Sequence, residues 1–332
     1  MFEGYYRRYR FYSKFIGVLA ICCLILTLSS DNSSFKRFIQ RLANKKISTN
    51  VIQSIEFLHS SYTNLDYQCE TVIPIIVISK ASNVERREAI RRTWASETFF
   101  RNQTIQLKVF FLVGTDDFNI KRIYAEQILF NDIIHVSLPE MYSFTAYKEV
   151  SAMIWIRKYL PKAKFYIKTE DFTIINTRFM FEKMFPLIEK LADENYIIGW
   201  FGSEHIIQRG RYQKFIDAVF PRSLVNQHHH AMGLLYIITS SAADQMLHIL
   251  GSVELIDSPG DPFLTGILRN TAHIKNQNLA ALKSDYQYMI AGEMCSVEFQ
   301  KNKQLLLCSS NQYQHSTHTI WDYFDAWNSI SD

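Results

Sequence analysis

The chain predicts an α/β domain with a largely parallel sheet, and three observations carry that prediction. Runs such as TVIPIIVISK (71–80) and LKVFFLVG (107–114) are apolar throughout and rich in β-branched residues, the pattern of strands covered on both faces. Segments of helical periodicity stand between them, which is the order of a βαβ fold. Nearly half of the 332 residues (48%) are apolar, enough for one large domain or two small ones with a sizeable core.

At the N-terminus a basic stretch, YYRRYRFYSK, precedes the apolar run from Phe15 to Ser30. Such a pair is an uncleaved signal anchor or a cleaved signal peptide, with a buried helix as the third reading. The run is shorter than the roughly 20 residues of an average spanning helix, but Tyr12 and Ser13 can extend it and thinner membranes need less. Read as an anchor, it gives a cytoplasmic tail (1–14), a span (15–30), a stem (31–68) and a lumenal domain (69–332). Cys22 and Cys23 fall inside the run, as lipid-facing residues or as sites of palmitoylation or dimerisation. Beyond it, Cys69, Cys295 and Cys308 predict one disulfide plus a free thiol in an oxidising compartment, and Cys295 with Cys308 is the more local pairing. None of these has zinc-site spacing. Sequons at Asn32 and Asn102 would be glycosylated in a lumenal chain. The net charge of +4 is small and dispersed, which gives no electrostatic case for nucleic acid.

The folded domain is expected to begin near Cys69. After the first strand, NVERREAIRRTWAS places Ala89, Ile90 and Trp94 at helical spacing with Asn83 as the cap. LKVFFLVG is the next buried strand, YAEQILFNDIIHV a helix leading into a short strand, and 142–160 a long helix before the strand KFYIKTED. Farther on, YIIGWFGSE and LLYIITSSAADQML read as strands, the latter running into a helix; DSPGDPFLTGIL is a loop into a helix, and the aromatic THTIWDYFDAW packs back on the domain. In parallel sheets ligands bind at the carboxyl ends of the strands, and Glu170 and Asp171 lie at one of those ends.

Several segments together resemble the β-1,3-galactosyltransferase-like family, glycosyltransferase family 31. ERREAIRRTW (85–94) is similar to the family's Glu-Arg-Arg-x-Ala-Ile-Arg-x-Thr-Trp signature. The block 140–176 matches one running from an acidic-x-Tyr start to Lys-Thr-Asp-x-Asp and Asn, with Tyr142, Lys148, Trp155, Ala163, Lys164, Lys168, Thr169 and Asn176 in register. MGLLYIITSSAA is similar to a Gly-x-x-Tyr segment, and GDPFLTGIL to a Glu-Asp-Val-x-x-x-Gly segment. The resemblance implies a GT-A-type, Rossmann-like nucleotide-sugar fold on a type II Golgi membrane anchor. It also implies inverting transfer of a hexose from a UDP-sugar to a glycan acceptor.

That reaction needs a base for the acceptor hydroxyl and stabilisation of the departing diphosphate, for which the family uses Mn²⁺. Asp261 matches the base, against the alternative of a helix cap; the Glu that precedes it in the family is Gly260 here. Glu170 and Asp171 match the donor motif, but Phe172 stands where the metal ligand would, which leaves Asp171 as the substitute ligand. A second family ligand, a His, aligns near Ser309 and Ser310, with His315 and His318 close by. Arg87, Arg91 and Lys148 are candidate donor-binding cations, with surface solvation or ion pairing as the alternative. The triplet His228, His229 and His230 reads as a polar loop, because adjacent residues diverge. The second functional reading is a catalytically inactive relative that binds a glycan or a partner enzyme, and a homo- or hetero-oligomer is compatible with either.

Overall fold

The computed structural model of the chain describes residues 55–59, 71–96, 99–100, 105–141, 144–202, 229–253, 260–281, 287–290, 294–309 and 318–331. The basic flank and apolar run at 1–30, Cys69, both sequon asparagines, Tyr142, His228, Ser310 and His315 lie outside them. Among the described residues no helix is long and apolar enough to cross a membrane.

In chain order the strands are β1 (Phe57–His59), β2 (Thr71–Ile78), β3 (Phe99–Phe100), β4 (Ile105–Thr115), β5 (Ile133–Pro139), β6 (Phe165–Glu170), β7 (Thr173–Ile175), β8 (Tyr196–Gly202), β9 (His230–Thr239), β10 (Lys275–Asn278), β11 (Gln287–Ile290) and β12 (Leu305–Ser309). The helices are α1 (Val84–Arg92), α2 (Ile120–Phe130), α3 (Thr145–Tyr159), α4 (Thr177–Lys183), α5 (Phe185–Leu191), α6 (Ser240–Ile249), α7 (Cys295–Lys301) and α8 (His318–Ser331), with a π-helical turn at Pro262–Leu268. The main sheet has the order β1-β5-β4-β2-β6-β9-β8-β10, with β3 on β4. Strands β5, β4, β2 and β6 run parallel, and β9 enters antiparallel between β6 and β8. A small second sheet, β11-β12-β7, follows the end of β6.

The unbroken apolar runs follow from coverage of both faces. In β2, Ile73, Ile75 and Val77 join a core with Ala89, Ile90 and Trp94, while Ile76 and Ile78 join another with Ala146, Tyr147, Val150 and Trp155 of α3. Successive side chains of a strand alternate between faces, so neither set tolerates a polar residue without a buried partner.

Two local expectations change. Asn83 sits at the N-cap of α1 but makes no side-chain cap bond; its side-chain NH₂ donates to Asp171 (2.8 Å) and its Oδ1 faces Ser82 Oγ (3.4 Å). Within the stretch read as stem, Phe57 and His59 pair with β5 as an antiparallel edge strand. The C-terminal aromatic segment packs back as expected: Tyr323 and Ala326 of α8 are fully buried, and Asp322 accepts the Cys295 and Ser296 amides at 2.7 and 2.8 Å, capping α7. Cys295 and Cys308 form a disulfide that ties α7 to β12.

Candidate active site

Strand alternation organises this region. Tyr166, Lys168 and Glu170 project from β6 toward α3 and the π-helical turn, whereas Thr169 and Asp171 take the other side. A lysine inside a doubly covered strand needs an anion, and Lys168 has several. Its ammonium lies 2.9 Å from Glu149 of α3 and 2.5 Å from Glu170, and donates to the Gly233 carbonyl of β9 at 2.9 Å. The antiparallel entry of β9 sets Tyr236 directly across from Lys168, and the Tyr236 hydroxyl donates to Glu149.

Asp261 completes the group from the start of the π-helical turn. Its backbone is helical and its side chain makes no cap bond to the following turn, so the helix-cap alternative does not describe it. The carboxylate accepts backbone N–H bonds from Gly233 and from itself. Gly233 leaves room for it: a Cβ there would come within 3.1 Å of Asp261 Oδ2. Thr265 Oγ1 donates to the Asp261 carbonyl (2.6 Å) and accepts the Ala231 amide (2.8 Å), fixing the turn against β9.

One ammonium thus serves three carboxylates, and their protonation follows. Burial alone would pull Lys168 down, but Glu149, Glu170 and Asp261 outweigh it and hold its pKa well above the ordinary value. Burial, opposed by Lys168 and aided by Glu149, pushes Glu170 up to about 7. Glu149 is raised by burial and by Asp261 against the pull of Lys168. Asp261 is raised by burial against Lys168 and its two amide donors. A carboxylate displaced upward is a better matched proton acceptor near neutrality.

The other residues singled out from the sequence occupy a neighbouring layer. Asp171 is buried on the opposite side of the strand end, where its carboxylate accepts from Ser79 Oγ (2.7 Å), Asn83 (2.8 Å) and Arg86 (3.3 Å). Arg87 is fully buried in a two-point pair with Glu126 (2.8 Å each) and also donates to Ser79 Oγ and the Lys80 and Ala81 carbonyls. Arg91 binds Asp132 (2.7 and 2.8 Å) and Glu126 (2.7 Å), with its guanidinium over Phe111 and Phe130. Lys148 donates to Glu140 (3.0 Å) and the Ser79 carbonyl (2.9 Å). Arg87 and Lys148 hold the loop after β2, so their observed work is to fix a strand end of the kind where ligands bind.

The described residues do not fit a Mn²⁺ site. Glu170 and Asp171 diverge by strand alternation, and each is already engaged. Phe172 packs against the core. Ser309 stands across from Thr173, the residue after Phe172, in the β12–β7 pairing, and neither Phe172 nor Ser309 carries an anionic or imidazole ligand. Among the described residues no group of three His, Cys, Asp or Glu side chains could hold a metal. His230 is buried in β9 while its neighbour His229 is exposed.

Sequence reasoning missed Glu149 and Tyr236 as site residues and treated Lys168 only as a motif position. The available signal was parity: Lys168 and Glu170 share a face of an otherwise apolar strand, which marks that face as a place for buried polar partners.

The galactosyltransferase family model matches residues 85–280, which is more than half of the chain and contains α1, α3, β6, β9 and Asp261. The chain belongs to the galactosyltransferase family, the β-1,3-galactosyltransferase-like group that its motifs resemble. It is 28% identical over 222 residues to the rat UDP-GalNAc:β-1,3-N-acetylgalactosaminyltransferase 1, covering 61% of each chain. It is 25% identical over 198 residues to mouse β-1,3-galactosyltransferase 5, covering 58% of this chain and 62% of that one. The match therefore spans about three fifths of the length of these relatives. Among solved structures, mouse xyloside xylosyltransferase 1 aligns over 73% of this chain and 98% of its own at 9% identity and a TM-score of 0.40, too distant to bear on the assignment.

Proposed function

We propose that this chain is a hexosyltransferase with a GT-A-type fold. It would transfer a hexose, galactose or N-acetylgalactosamine, from a UDP-sugar to a glycan hydroxyl with inversion and a β-1,3 linkage, as a single-pass type II protein of the Golgi membrane. The observation that carries this reading is the convergence of Glu149 and Glu170 on Lys168 at the carboxyl end of β6, with Asp261 beside them against Gly233, inside the family-matched segment.

In this reading the acceptor oxygen attacks the anomeric carbon, its proton passes to the Asp261 carboxylate, and the bond from the anomeric carbon to the diphosphate oxygen breaks to release UDP. Asp261 is suited to the task because its carboxylate is fixed by two backbone amides and raised in pKa. Glu170, held by Lys168, faces the donor. Arg86, which is 18% exposed beside Asp171, is a cation at the start of α1 that can reach a diphosphate. No step is routed through a metal, since among the described residues Glu170 and Asp171 diverge and are each engaged by cations of the chain.

Calorimetry of UDP on the full chain in detergent, with Mn²⁺ and again with a chelator, tests the reading. Micromolar binding that persists under chelation is the expected result. Binding that vanishes with the metal would refute the metal-free arrangement, and no binding in either condition would refute the transferase.

A further inference from the structure

The family pattern places a Glu immediately before the catalytic Asp, and this chain has Gly260 there. The structure shows what fills the space. A Cβ on Gly260 would lie 2.1 Å from Glu149 Cδ, 2.4 Å from Glu149 Oε1 and 2.6 Å from Glu149 Oε2. No real Cβ approaches a carboxyl group so closely, and Glu149 has little freedom to withdraw. Its side chain is 1% exposed, held by Lys168 at 2.9 Å on one side and by the Tyr236 hydroxyl on the other. A side chain at 260 and the Glu149 carboxylate therefore exclude each other.

We infer that the acid beside the catalytic Asp has moved from the residue that leads into the π-helical turn to helix α3: Glu149 is a positioning residue, standing in for the absent side chain at 260. Three further features agree with an exchange. Glu149 is 1% exposed, and an acid buried there without a purpose would be costly. Tyr236, of the family's Gly-x-x-Tyr segment, gives its hydroxyl to Glu149. Lys168, of the Lys-Thr motif, is shared between Glu149 and the donor-facing Glu170. Glu149 thus fixes where the ammonium sits relative to Glu170 and Asp261, and Gly260 is the residue that allows it.

The inference rests on the transferase reading for its functional half, and the test separates the two. Five forms of the full chain are compared: wild type, Glu149→Gln, Glu149→Ser, Gly260→Glu, and Gly260→Glu combined with Glu149→Ser. The readouts are the melting temperature and UDP release from UDP-galactose and UDP-N-acetylgalactosamine with water as acceptor. Gly260→Glu alone should lower the melting temperature by at least about 4 °C through overpacking, and adding Glu149→Ser should restore most of it. Glu149→Gln, nearly equal in shape, should leave KM within about twofold and lower kcat by about 100-fold, the usual cost of a misplaced group. The double variant should regain activity that Gly260→Glu lacks. Melting temperatures that add independently would overturn the exchange of positions. Unchanged kcat in Glu149→Gln would overturn the positioning role. A wild type that turns over neither sugar nucleotide and binds no UDP would instead overturn the transferase reading, with the melting temperatures still deciding the exchange.

Discussion

Replacing Lys168 by Met isolates the charge arrangement at the centre of the site. The side chain is 1% exposed and bonds Glu149, Glu170 and the Gly233 carbonyl, so Met preserves the volume while deleting the cation. Removing one partner of a buried ion pair costs about 3–5 kcal/mol. The size of the loss should depend on pH in a fixed direction. In the wild type Glu170 already stands at about 7, above its unfolded value, so its contribution to stability is present at low pH and lost as pH rises through about 7. Without Lys168 the folded pKa values of Glu149, Glu170 and Asp261 rise further, and each additional unit costs about 1.4 kcal/mol where the unfolded carboxylate is ionised. Destabilisation should therefore be largest near about pH 8 and shrink toward about pH 5, where the folded variant can hold its carboxylates as neutral acids. Urea midpoints at a series of pH values measure it. A loss of equal size at both ends would refute the reasoning and mark Lys168 as a packing residue.

Three further outcomes are expected. Asp261→Asn should lower UDP-sugar turnover by about 100- to 10,000-fold in initial-rate assays while calorimetric UDP binding stays within about threefold, because the amide keeps the shape but cannot take the proton. Glu126→Gln should cost about 3 kcal/mol near neutral pH by stranding Arg87 and part of Arg91. Burial pushes Glu126 up, but Arg87 and Arg91 override it and hold its pKa low, so its stabilisation is present above the unfolded value and lost as pH falls. The gap between variant and wild type in urea should close toward about pH 3. Replacing Cys295 and Cys308 by Ala should lower stability by about 2–4 kcal/mol, measured by urea unfolding, since the bond closes a loop with a sequence separation of 13.

Much of the site was legible because it sits where strands end. The run TVIPIIVISK, the helix 84–92 and the strand 165–170 could be read from periodicity, and the position of Glu170 and Asp171 followed from them. Their divergence was also written in the sequence, in the two-residue period of a strand, but two adjacent acids invite being read as one site. The cations misled for a physical reason: a basic helix after a strand looks the same whether its arginines face solvent or are consumed by Glu126 and Asp132, which lie 35 or more positions away along the chain.

By itself the sequence determined the alternating α/β order, the doubly covered strands, the family, and the apolar side chain at Phe172 in the donor motif, because these depend on residue type and local spacing. Tertiary structure decided the rest. The antiparallel insertion of β9 brings Gly233 and Tyr236 against Lys168, and α3 delivers Glu149 into the space left by Gly260, 111 residues farther along the chain. No local pattern encodes which carboxylates will share one ammonium, since that is fixed by the packing of distant elements whose charges have no other buried partner.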